Sequence, residues 1–185
     1  VSLAELVDWP SAFFGKWHVG SAAQSWQLAP QSHGFGLWRA GMRHGNEDYQ
    51  DWLRIEDGAS FRSADYEPAA VHQRWLEWWT SARGQRLAVY APQLAHAPYH
   101  RPPPPWLPPG YPPTDDDRGR YEAMIVALDT AVGQVLRRVS KETLVVFVGD
   151  NGTPEAVAPE PEIEVVAAGV VPLALGRGHL VVVGS

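Results

Sequence analysis

Thr143-Leu-Val-Val-Phe-Val-Gly-Asp-Asn-Gly152, TLVVFVGDNG, is an apolar run that stops on an acid and an amide. Its unbroken apolar character predicts a strand covered on both faces, which is the pattern of a central strand in a parallel sheet. Asp150, Asn151 and Gly152 read first as a turn, because each suits one for its own physical reason. They read equally as the lip of a site, and the rest of the chain has to decide between the two.

Working back from this strand, Asp115-Asp116-Asp117 supply an N-cap and favourable charge at a helix start. That helix is predicted to reach about Val139, burying Met124, Leu128, Ala131, Val132, Val135, Leu136 and Val139. Residues 86–91, RLAVYA, predict a second buried strand. Glu67 to Arg83 predicts a helix with Val71, Trp75, Leu76 and Trp79 on one face. The stretch 21–68 has no clear periodicity and reads as loops with short strands near 35–38 and 52–55. Near the N-terminus, Ser2 and Glu5 form a capping box for a short helix. Ala12-Phe13-Phe14 then makes a strand that runs into Gly15-Lys16-Trp17-His18-Val19-Gly20. After Gly152, short strands are expected near 165–175 and 179–183. Helices alternate with apolar strands, so the expectation is an α/β fold with a mainly parallel sheet flanked by helices. Residues 101–114 are rich in proline, which fixes φ and removes donors. They read as a stiff surface connection, with a ligand for an SH3 or WW domain as the functional alternative.

Composition narrows the function classes. The 185 residues suit one domain, and 45% hydrophobic against 19% charged residues supports a sizeable core. A net charge of −6, with no run of Lys or Arg, argues against nucleic acid or an anionic membrane as partner. With no cysteine, the chain holds no disulfide, thiolate metal site or cysteine nucleophile. No segment approaches the ~20 apolar residues of a transmembrane helix. The chain opens without Met or a signal pattern and reads as the middle of something larger. Of the nine tryptophans, Trp75 and Trp79, one helical turn apart, are expected to pack; Trp26, Trp38 and Trp52 are open to packing or to a pocket.

In an open α/β sheet, ligands bind beyond the carboxyl ends of the strands. Three predicted strands end in polar clusters: Lys16 with His18, then His96, then Asp150 with Asn151. Singly, each is the commonplace end of a strand; three on one edge point to a site. Asp150 and Asn151 offer the hard oxygens that calcium or magnesium prefers. Lys16 brings a point charge, and His18 and His96 can shuttle protons. A metal, a lysine and two histidines suit an anionic tetrahedral group such as sulfate or phosphate.

LAEL, GKWHVG, His33-Gly34-Phe35, His96-Ala97-Pro98 and TLVVFVGDNG, in that order, resemble the sulfatase family. This is the formylglycine-dependent, arylsulfatase-like group of the alkaline-phosphatase-like superfamily. Tyr121, Asp129 and Gly133 resemble its helix before the Asp-Asn-Gly strand. The resemblance spans about residues 2–152 and fades toward 177, so residues 1–185 are expected to form part of a sulfatase catalytic domain. It implies that Asp150 and Asn151 ligate a metal, normally Ca2+, with Mg2+ as the other candidate. It further implies that Lys16 holds nucleophile and sulfate, that His18 takes a proton as sulfate leaves, and that His96 binds sulfate and assists the leaving oxygen. The implied substrate is a small-molecule or carbohydrate sulfate ester. Family members are usually exported to the periplasm, the extracellular space or the lysosome.

The sequence also departs from the family pattern. It has neither the Cys-or-Ser-x-Pro-x-Arg motif that carries the formylglycine nor the paired aspartates of the first strand. Glu162 falls where the second active-site lysine is expected, Val170 where an arginine is, and Gly36 where Asp often follows His-Gly-Phe. The expectation is therefore a fragment lacking the N-terminal nucleophile motif, with this chain alone turning over nothing. Other readings are a phosphonate or phosphodiester hydrolase of the same superfamily, and a non-catalytic anion-binding or proline-rich interaction module.

Overall fold

Seven strands form one sheet in the computed structural model, which describes residues 1–19, 26–43, 48–111, 114–149, 157 and 179–184. In chain order the elements are α1 (Leu3–Leu6), β1 (Ser11–Lys16), β2 (Leu37–Met42), β3 (Trp52–Glu56), β4 (Ala59–Ser63), α2 (Glu67–Ser81), β5 (Leu87–Ala91), α3 (Asp117–Leu136), β6 (Thr143–Val148) and β7 (His179–Gly184). The strand order is β4-β3-β2-β1-β5-β7-β6. Every pair from β2 through β1, β5 and β7 to β6 is parallel, and only β2–β3 and β3–β4 are antiparallel. The sheet is thus mainly parallel, as the apolar runs predict.

Side-chain alternation along β1 divides the core between the two faces. Ala12 and Phe14 pack with α2 and α3 through Val71, Trp75, Met124 and Ala131. Phe13 faces the other way, into a cluster with Ala4 of α1, Phe35 and Trp38. The capping box is present: the Ser2 hydroxyl accepts from Glu5 N–H, and Glu5 reaches back to the Ser2 N–H. Asp116 caps α3 by accepting from Gly119 N–H at 2.8 Å. Trp75 and Trp79 stack with their ring centroids 5.5 Å apart. Trp38 and Trp52 are buried as well, which answers two of the three open tryptophans in favour of packing.

Several expectations are corrected. β6 is not central: it pairs with β7 alone among the described residues and closes the sheet on that side, with Phe147 and Val148 exposed. Only Thr143 of β6 is buried, so the expected covering of both its faces is corrected with its rank, and the interior place beside β5 goes to β7. The loop reading of 21–68 missed β4. Asp57 (φ 47°) and Gly58 (φ 93°) are the two-residue hairpin between β3 and β4, and both need the positive φ that Asp-Gly tolerates. Leu136, expected in the core, is 50% exposed at the end of α3. In the proline-rich segment, Trp106 is buried on Tyr66 and His72, so this stretch docks on its own domain through its aromatic residue. The strand expected near 165–175 lies outside the described residues.

Candidate functional site

The ends of β1 and β5 lie side by side, since Gly15 is in register with Ala91. Their approach is very close: a Cβ on Gly15, whose φ is +96°, would sit 2.0 Å from the Ala91 carbonyl oxygen. The end of β1 is fastened twice more. Trp38 Nε1–H donates to the Gly15 carbonyl at 2.9 Å, and Trp17 N–H donates to the Met42 carbonyl at 2.8 Å. Lys16 is the last residue of β1 rather than a loop residue, and it is half-buried. Alternation turns it to the face of Ala12 and Phe14, toward α2. His18, two residues on, is exposed.

Beyond β5, Pro92, Gln93 and Leu94 are buried before the chain surfaces at His96. His96 closes a turn by donating its N–H to the Gln93 carbonyl at 2.8 Å. Its Nδ1 lies 2.6 Å from the Ala97 carbonyl oxygen, which can only accept. Nδ1 therefore carries the proton, and Nε2 is the nitrogen turned to other work. The structure thus brings Lys16, His18 and His96 to one sheet edge, the one at which β6 also ends with Gly149. Asp150 and Asn151 lie outside the described residues.

Three residues that sequence reasoning did not single out support the His96 turn. Glu67, the first residue of α2, is completely buried, and its Oε2 accepts the Gln93 N–H at 3.4 Å. Its own N–H donates to the Tyr49 carbonyl at 2.9 Å. The Tyr49 hydroxyl in turn donates to the Gln93 and His96 carbonyls, at 3.0 and 2.7 Å. Burial pushes the Glu67 carboxyl up to about 8, against the opposing pull of the Gln93 N–H and the Lys16 charge. Burial likewise raises Tyr49, Tyr66 and Tyr90 well above the ordinary phenol value. Glu67 beside Pro68 is a recognisable helix start, but no local pattern tells that its carboxyl faces Gln93, 26 residues away.

The described part of this edge is cationic and hydrogen-bonding, and no group of three or more His, Asp or Glu residues is arranged there to hold a metal. Along α2, a cavity of about 270 Å³ is lined by Arg54, Asp65, Tyr66, Gln73 and Arg74, among others. Both guanidinium groups are already paired, Arg54 with Glu56 and Asp65, Arg74 with Glu56 and Glu77. The cavity therefore offers an anion no uncompensated charge. No described helix is long and apolar enough to cross a membrane.

A family model described as Sulfatase matches residues 10–161, which takes in β1 through β6 and both edge histidines. No curated protein matches the chain.

Proposed function

The chain belongs to the sulfatase family, and from that premise we propose that its β1–β5 edge binds the oxyanion of a sulfate ester for hydrolysis in the complete protein. The observation that carries this reading is the register of Gly15 with Ala91, which brings the half-buried Lys16 and the His96 turn to adjacent strand ends. Lys16 supplies a point positive charge for a tetrahedral oxyanion. His96, with Nδ1–H committed to the Ala97 carbonyl, has Nε2 left for the ester's leaving oxygen, to which it donates when the ring is in its imidazolium form. His18, exposed beside Lys16, is assigned the proton released when sulfate departs.

Asp150 and Asn151 are assigned to a divalent cation, calcium before magnesium. The support is chemical, since carboxylate and amide oxygens are hard donors. Among the described residues no group of three or more His, Asp or Glu is arranged to hold a metal. In the family's chemistry a formylglycine hydrate supplies the nucleophile. This sequence has no Cys-or-Ser-x-Pro-x-Arg motif to carry one, so the activity assigned to these residues is binding, orientation and proton transfer.

Titration of the full chain with inorganic sulfate, followed by calorimetry, tests the reading. The expected result is saturable binding that Lys16→Met weakens by roughly tenfold or more, the scale of a lost charge-assisted hydrogen bond. Equal affinity in the parent and Lys16→Met would overturn it. Inorganic phosphate in the same titration separates a sulfate site from one that takes either anion.

A further inference from the structure

We propose that Glu67 is a positioning residue for the oxyanion site, its buried side chain holding the His96 turn against the end of β1 that carries Lys16. The proposal rests on the functional reading above and deepens it. A closed ring of contacts supports it. The Glu67 N–H is bound to Tyr49, the Tyr49 hydroxyl is bound to Gln93 and His96, and the Gln93 N–H is bound to Glu67. Only two residues separate Gln93 from His96, and the turn between them is closed by their own 2.8 Å hydrogen bond. A shift at Gln93 is therefore a shift of the imidazole.

Two features mark Glu67 as more than a helix start. Glu67 is 0% exposed, a position that an acid without an assigned partner rarely holds. Its Oε1 also has no hydrogen-bond partner among the described residues. An apolar residue of similar size would avoid both the desolvation and the unpaired oxygen. What the acid provides instead is an acceptor for the Gln93 N–H and a group within the electrostatic reach of Lys16. One buried side chain thus bonds the turn beyond β5 and feels the charge at the end of β1. Such local violations of packing economy are expected at functional sites.

The test uses the full chain and two separate signals. Amide hydrogen exchange reads the position of the turn, and sulfate calorimetry reads the site. Glu67→Leu should lower the exchange protection of Gln93 and His96 by roughly tenfold while leaving β5 and α3 amides unchanged. Sulfate affinity should fall by roughly tenfold with it. Glu67→Gln keeps an acceptor oxygen at the same reach and should restore both signals near pH 6.5. Should Glu67→Leu not fold, Glu67→Asp takes its place, because its shorter stem stays acidic but falls short of Gln93. Unchanged protection at Gln93 and His96 in the folded Leu or Asp variant overturns the proposal, and so does unchanged sulfate affinity. A parent chain that binds no sulfate sinks the functional reading and the oxyanion role assigned here together. The exchange signal distinguishes that outcome from a failure of Glu67 to hold the turn.

Discussion

The indole N–H of Trp38 donates to the main-chain carbonyl of Gly15 at 2.9 Å, with Trp38 fully buried. A side chain from β2 therefore ties down the end of β1 one residue before Lys16. Trp38→Phe keeps most of the packing and removes the donor, leaving the Gly15 carbonyl unpaired. The expected cost is about 1–3 kcal/mol, against about 3–5 kcal/mol for Trp38→Ala, which also opens a cavity. Urea unfolding of the two variants checks the ranking, and a Trp38→Phe variant as stable as the parent would mean that the hydrogen bond contributes nothing.

Gly15 itself should tolerate no side chain. Its φ of +96° disfavours any residue with a Cβ, and that Cβ would meet the Ala91 carbonyl oxygen at 2.0 Å, where only backbone could yield. Gly15→Ala is expected to cost several kcal/mol, roughly the sum of backbone strain and overpacking. Gly84→Ala provides the contrast: its φ of +70° carries strain, but no atom lies within 4 Å of the added Cβ. A thermal melt in which the two variants lose equally would refute the close approach of β1 and β5.

The buried acid makes stability depend on pH in a defined direction. The Glu67 carboxyl is raised from 4.5 to about 8 in the fold, so the folded chain holds a proton that the unfolded chain has released. Its contribution is present in full below pH 4.5 and is lost as pH rises toward 8, at up to about 1.4 kcal/mol per pH unit. Lys16, Tyr49, Tyr66 and Tyr90 are the titratable groups acting with or near it. His72 and His100 are lowered by burial and act in the opposite sense. Comparing Glu67→Gln with the parent cancels those histidine effects. The Gln variant should gain on the parent between pH 5.5 and pH 8.5, as read from urea midpoints. A constant difference would show that Glu67 does not titrate in that window.

His96 should be found as the Nδ1–H tautomer when neutral, because its Nδ1 faces a carbonyl oxygen 2.6 Å away. Long-range proton–nitrogen correlation spectra distinguish the two ring nitrogens directly. A protonated Nε2 in the neutral ring would mean that Nδ1 does not donate to the Ala97 carbonyl, and the orientation assigned to His96 would fall with it.

The metal assignment makes its own claim. Asp150→Ala and Asn151→Ala should each abolish or strongly weaken calcium binding by the full chain, whereas Lys16→Met should leave it in place. Calorimetry with calcium alone, in the absence of sulfate, keeps the two sites separate. Calcium affinity that survives Asp150→Ala would rule out this carboxylate as a ligand.

The sequence by itself determined the class of the fold and placed Lys16, His18 and His96 at or beyond strand ends on one edge. Apolar runs at 87–91 and 143–148 demand strands, the spacing of Val71, Trp75 and Trp79 demands a helix face, and Ser2 with Glu5 demands a capped turn. Each is a local periodicity or a local hydrogen bond, legible over a few residues. The Asp57-Gly58 hairpin was equally legible and was missed only because the surrounding stretch lacked periodicity. Strand order was another matter. That β7 takes the place beside β5 and leaves β6 at the end of the sheet depends on pairings between residues far apart in the chain, which no local pattern encodes. The same holds for the site. Lys16 and His96 could be assigned to one edge from strand ends alone, but the ring that holds the His96 turn joins positions 49, 67, 93 and 96. A helix-starting glutamate becomes a buried acid only where tertiary packing closes over it and excludes the water that would otherwise solvate its charge.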